Sequence, residues 1–112
     1  MDMDVSVIIP AFNEADIIGE VIAKVRSTMD DLKLSYEVLV IDDGSKDDTA
    51  EKARQAGAKV VSHPYNIGNG AAVKTGIRRA RGKILVMMDG DGQHNPEDIP
   101  RLLEKMENFD MA

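Results

Sequence analysis

The sequence predicts an α/β protein, an open and mostly parallel sheet with helices on both faces. Three observations carry that expectation. Four short runs of β-branched and aliphatic residues recur along the chain, and segments of helical periodicity separate them. The apolar runs are near-continuous rather than alternating, as strands buried on both faces require, and right-handed crossovers would join them.

The first run, Val5 to Ile9, reads as a buried strand. Asn13 then stands as a helix N-cap, with Glu14 and Asp16 in the first turn and Ile17, Ile18, Val21, Ile22, Val25 and Met29 on one face. Asp30 to Ser35 is polar enough for a surface loop, and Glu37 to Ile41 forms the second strand. Ser45 with Asp48 three residues on makes a capping-box-like start; Ala50, Ala53 and Ala56 lead to Gly57 as the stop. After a third strand, Lys59 to Val61, a third helix opens near Gly70 and closes at Gly82, using Ala72, Val73, Ile77 and Ala80. Lys83 to Met88 is the fourth strand. Asn95 and Pro96 start a fourth helix with Ile99, Leu102, Leu103 and Met106 inward. The order is βαβαβαβα.

The 112 residues suit one domain, residues 1–112, of globular composition. Fourteen Lys and Arg against twenty Asp and Glu leave a net charge of −6, which argues against nucleic-acid binding. The lack of cysteine excludes a disulfide framework, a thiolate zinc site and a cysteine nucleophile, and suits a reducing, cytoplasmic setting. Apolar runs such as Val7 to Ile9 and Ile84 to Met88 are far shorter than the roughly 20 residues of a membrane span, so a soluble segment is expected. Phe109 to Ala112 resembles the approach to a fifth strand, so the chain reads as a fragment.

In open parallel sheets, ligands bind outside the carboxyl ends of the strands. The segments that follow the strands place five carboxylates there: Glu14, Asp42, Asp43, Asp89 and Asp91. Like charges at about 4 Å repel by a few kcal/mol at an effective dielectric near 20. A divalent cation relieves that. Asp89-Gly90-Asp91 lets two carboxylates reach one ion, the glycines permit close backbone approach, and Gln93 adds an oxygen. Hard oxygen donors select magnesium or manganese, which keep positions for phosphate oxygens, so a diphosphate is the implied ligand. An EF-hand is excluded by His94 and Pro100 at its glycine and glutamate positions. The plainer reading is a polar turn in which Asn95 caps a helix.

Gly68 to Gly76 evokes a phosphate loop, but Val73 stands where both the Walker and the dinucleotide patterns need glycine. Close backbone approach to a ligand and simple helix initiation, with Gly76 and Gly82 allowing tight packing, both stay open. Lys74 faces either a phosphate or solvent. Asp42-Asp43 also suits a phosphoacceptor receiver domain, except that the pair follows the second strand rather than the first. Asp43, before Gly44-Ser45, suits hydrogen bonding to its own turn, so ligand binding falls to Asp42 more readily. His63 and His94 are either proton shuttles or hydrogen-bonded loop residues.

Taken together, Val5 to Glu14, Val40 to Thr49, Asn66-Ile67-Gly68 and Asp89 to His94 resemble family 2 glycosyltransferases of the GT-A fold. The branch with dolichol-phosphate mannosyltransferase and polyprenyl-phosphate sugar transferases is the most similar. The resemblance implies strand order 3-2-1-4. It implies that Pro10, Ala11 and Glu14 line the nucleoside, with Glu14 on the ribose, and that Asp42 reads the base. Asp43, Gly68, Lys74 and Gly90 are the further nucleotide contacts expected. Asp89, Asp91 and Gln93 would hold Mg2+ or Mn2+ and the diphosphate, with transfer chemistry resting on Asp91. Asn69 stands where many relatives have lysine, and Gly90 replaces the commoner alanine. The expected activity is transfer of a sugar from a UDP- or GDP-sugar to an acceptor, a polyprenyl phosphate or a saccharide. The chain would be the donor-binding half, lacking the acceptor half and its general base, and inactive alone. A non-catalytic nucleotide-binding module and a nucleotidyltransferase are the alternatives. The apolar strand Lys83 to Met88, left at an edge, predicts a homodimer.

Overall fold

The computed structural model describes residues 3–88. They form β1 (Met3–Ala11), α1 (Ile18–Leu32), β2 (Tyr36–Asp42), α2 (Thr49–Gln55), β3 (Lys59–Ser62), α3 (Asn69–Arg79) and β4 (Gly82–Met87). The helix expected from Asn95 onward lies outside the described residues. All strand pairs are parallel, in the order β3-β2-β1-β4, as expected. Among the described residues β4 pairs with β1 alone. No helix among them is long and apolar enough to cross a membrane.

Strand alternation divides the core. Val5, Val7 and Ile9 of β1 and Val38 and Val40 of β2 face α1 and α2, meeting Ile18, Ile22, Val25 and Met29. Ile8, Leu39 and Ile41 point to the other face, against Ala72 of α3. There Gly76 is needed, because a Cβ would lie 2.4 Å from Ile8 Cγ2. The second face is thin because its helix carries small residues.

Five expectations are corrected. Asn13 is not a helix cap: it takes φ +54°, and α1 starts only at Ile18 with no side-chain cap. Asparagine tolerates the left-handed region, and its amide is engaged across the loop instead. Ser45 starts no helix either, since α2 begins at Thr49 after Asp48. Asp30 to Leu32 belong to the last turn of α1, which ends at Lys33 with φ +58°. In α3, Ala72 and Gly76, four residues apart, face the sheet, so Ile77 turns about 100° further round and is 47% exposed. Gly82 does not close α3 but opens β4, where a Cβ would lie 2.4 Å from the Ser6 nitrogen.

Candidate functional site

The carboxyl ends of β1, β2 and β3 carry three loops, and short polar side chains bind them into one rim. Backbone pairing continues past the strands, with the Asp43 N–H on Ala11 O (2.9 Å) and the His63 N–H on Asp42 O (2.8 Å). The loop after β1 is then held by the loop after β2. Asn13 N–H donates to Ser45 Oγ (2.8 Å), Lys46 N–H to Asn13 Oδ1 (2.9 Å) and Glu14 N–H to Thr49 Oγ1 (2.9 Å). Asp47 accepts from the Ala15 N–H at 3.3 Å and from the Thr49 N–H at 3.0 Å, and the buried Thr49 hydroxyl also donates to it. These hydrogen bonds, the Thr49 hydroxyl first, hold the Asp47 carboxyl below its ordinary pKa. Irregular backbone is thereby satisfied without a helix or ladder.

Asp42 and Asp43 are 5% and 4% exposed, and their carboxylates take different partners. Asp42 Oδ1 accepts the Ser45 N–H at 3.1 Å, so the turn-holding role expected of Asp43 belongs to Asp42. Asp43 reaches the loop after β3. Its Oδ1 accepts the Ile67 N–H (3.0 Å) and lies 2.8 Å from His63 Nδ1, and its Oδ2 accepts the Gly68 N–H (2.8 Å). Burial alone would raise the Asp43 pKa; His63 and the two amides outweigh it and hold the carboxyl below its usual range. Gly44, at φ +74°, lets that loop sit directly on the turn, since a Cβ would lie 2.3 Å from the Tyr65 carbonyl carbon.

Of the residues expected to bind, Pro10, Ala11, Glu14, Asp42, Asp43 and Gly68 come together on this rim. Pro10 is half-buried and Ala11 buried. Gly68 has φ +128° and its N–H is committed to Asp43. Lys74 is exposed on α3. Asp89, Gly90, Asp91, Gln93 and His94 lie outside the described residues. Among those described, no three acidic or histidine side chains gather as a metal site. The sequence offers Asn13 and Ser45 as helix starts and gives Asp47 and Thr49 no separate role, so the part all four play in building the rim is not foreseen there. The signal was present in their short hydrogen-bonding side chains, but their partners lie 32 to 35 residues away. Phe12, Tyr65 and Ile67, all large and apolar, are exposed on the same loops.

The sequence model described as Glycosyl transferase family 2 matches residues 6–112. An undecaprenyl-phosphate 4-deoxy-4-formamido-L-arabinose transferase of Aeromonas hydrophila is 39% identical over 115 residues, covering 96% of this chain and 35% of the relative. A dolichol-phosphate mannosyltransferase of Pyrococcus furiosus is 39% identical over 110 residues, covering 95% of this chain and 31% of the relative. The chain thus spans about a third of these relatives' length. Among solved structures, glucosyl-3-phosphoglycerate synthase of Mycobacterium tuberculosis superposes with TM-score 0.79 at 33% identity, over 93% of this chain and 41% of that one. The same enzyme solved with Mn2+, UDP-glucose and phosphoglyceric acid gives TM-score 0.74 at 33% identity, over 88% of this chain and 37% of that one.

Proposed function

This chain belongs to glycosyl transferase family 2, and we propose that its rim is the donor site of a transferase moving sugar from a UDP- or GDP-sugar to an acceptor. One observation carries the reading. The order in which strands are added reverses between β1 and β4, and Glu14 follows β1 at that switch point, tied to the loop after the neighbouring β2 that carries Asp42 and Asp43. In open α/β sheets this crevice takes nucleotides. Solved relatives held UDP-glucose with Mn2+, and UDP with Mg2+.

In this reading residues 1–112 are one nucleotide-sugar-binding unit. Pro10, Ala11 and Glu14 line the nucleoside, and Asp42 and Asp43 serve the base side of the site. Asp89, Asp91 and Gln93, a hard-oxygen set just after β4, would hold Mg2+ or Mn2+, which neutralises charge on the departing diphosphate. The protein's own part is to place the donor and exclude alternative poses, for which ordered loops are a precondition. The acceptor is a polyprenyl phosphate, as the named relatives suggest, or a saccharide; a lipid acceptor would bring the reaction to the cytoplasmic face of a membrane. The outer edge of β4 is the surface by which two copies pair.

Calorimetry with UDP and GDP, in Mn2+ and in chelator, tests this. Binding is expected with metal only, and Asp91→Ala should remove it. Asp42→Ala should weaken nucleotide binding while the metal requirement persists. Metal-dependent binding left intact by Asp91→Ala would overturn the metal assignment.

A further inference from the structure

We infer that His63 is a positioning residue of the donor site, holding the Asp43 carboxylate and the 63–68 loop in one fixed arrangement. The inference rests on reading the rim as a nucleotide site. His63 directly follows β3, and its side chain is 10% exposed. The ring is held at both nitrogens, Nδ1 at 2.8 Å from Asp43 Oδ1 and Nε2 at 2.9 Å from Thr75 Oγ1 in α3. Asp43, with its pKa below the usual range, is ionised at neutral pH and can only accept. Nδ1 must therefore carry the proton. In the neutral ring Nε2 then accepts, and the Thr75 hydroxyl donates to it. The ring links the end of β2 to α3 through a defined tautomer.

That link decides what Asp43 offers a ligand. Its two oxygens already take three donors: His63 Nδ1, Ile67 N–H and Gly68 N–H. An ionised carboxylate accepts about four, so one acceptor position remains, on the side of Oδ2. The direction of that position is set by the three fixed donors, and the histidine is the only side chain among them. Ile67 and Gly68 depend on the same carboxylate for their own seating. Loss of the ring would free the carboxylate to rotate and would loosen the loop that packs against Gly44.

Three variants separate positioning from plain support. In His63→Asn the side-chain amide nitrogen falls about where Nδ1 was, preserving the donor to Asp43. His63→Gln places its amide near the Nε2 position, preserving only the Thr75 side. His63→Phe removes both. With UDP and Mn2+ as probe, Gln and Phe are expected to bind about 10-fold more weakly than the wild type, the size of one charge-assisted hydrogen bond. Asn should stay within about 3-fold, and Thr75→Val, which leaves the Asp43 contact intact, should do the same. The His63 ring, assigned in nitrogen-detected NMR by its loss in the Asn variant, should be protonated at Nδ1 at neutral pH.

A wild type that binds UDP with Mn2+ while the Gln and Phe variants bind equally well overturns the inference and leaves the donor site standing. A ring protonated only at Nε2, or affinities that follow melting temperature with Asn no better than Gln, overturns it too. A wild type that binds neither UDP nor GDP with Mn2+ overturns the donor-site reading itself. If His63→Phe fails to fold, Thr75→Val and the wild-type tautomer still decide.

Discussion

The two ends of β2 each carry a buried carboxylate, and the two do different work. Glu37, at the start, accepts from Ser6 Oγ (2.6 Å), the Arg81 N–H (2.7 Å) and Lys59 Nζ (3.3 Å). Ser6 Oγ in turn accepts the Gly82 N–H at 2.7 Å. Ser6 lies within β1, Lys59 starts β3 and Arg81 directly precedes β4, so Glu37 ties all three strands to β2. Asp43, about 20 Å away along the strand direction at 3.3 Å per residue, draws all its partners from one irregular loop. Burial and a lowered pKa are common to both. They do not distinguish a framework lock from a site. What distinguishes them is the kind of structure each holds: pre-formed strands in one case, a loop with few other anchors in the other.

Breaking the framework lock should have the largest effect on stability. Glu37→Ala leaves the Ser6 hydroxyl and the Arg81 N–H without their acceptor and should destabilise by about 3 kcal/mol, as expected when one partner of a buried charged cluster is removed. The fraction that remains folded should bind UDP with wild-type affinity in calorimetry. Gly44→Ala is the matching break at the other end. A Cβ at φ +74° and 2.3 Å from the loop backbone should cost about 2 kcal/mol of strain, and here UDP affinity should fall with it.

The acid limb of stability sharpens the comparison. Glu37 feels burial first, which raises its pKa, but Ser6, the Arg81 N–H and Lys59 reverse this and hold it below the ordinary value. A depressed folded pKa contributes stability that is fully present above the unfolded value and lost as pH falls through the folded one. Glu37→Gln should therefore flatten the loss of melting temperature on acidification, and Asp43→Asn should do the same. Equal slopes in wild type and both variants would contradict the pKa directions.

Much of the framework was legible in the sequence. Val5 to Ile9 and Glu37 to Ile41 are the buried parallel strands their apolar runs predict, Lys83 to Met88 is a strand but only partly buried, and the 3.6-residue stripe from Ile18 to Met29 identifies α1. Strand ends were read to within a residue or two because burial ends where the loops begin. Helix starts were misread for a physical reason. Asn13 and Ser45 have the chemistry of caps, and a cap and a cross-loop hydrogen bond use the same atoms. Local sequence cannot choose between partners three and thirty residues away. The turn-holding role expected of Asp43 falls to Asp42 for a similar reason, since adjacent residues of an extended segment point to opposite faces. The thin α3 side, by contrast, could be anticipated from Gly76.

The smallest expected effect concerns the outer edge of β4, which among the described residues pairs with β1 alone. Light scattering across micromolar concentrations should show a dimer that dissociates on dilution, and Met87→Lys should shift it toward monomer. Strictly monomeric behaviour would contradict pairing through that edge.

The most direct measurement is an amide NMR map of the chain titrated with UDP and Mg2+. Shifts are expected at Ala11, Asp43, Ser45 and Ile67, with Ser6, Glu37 and Gly82 unmoved at the other end of the sheet. Shifts centred on Glu37 and Gly82, or none at the rim under saturating nucleotide, would contradict this expectation.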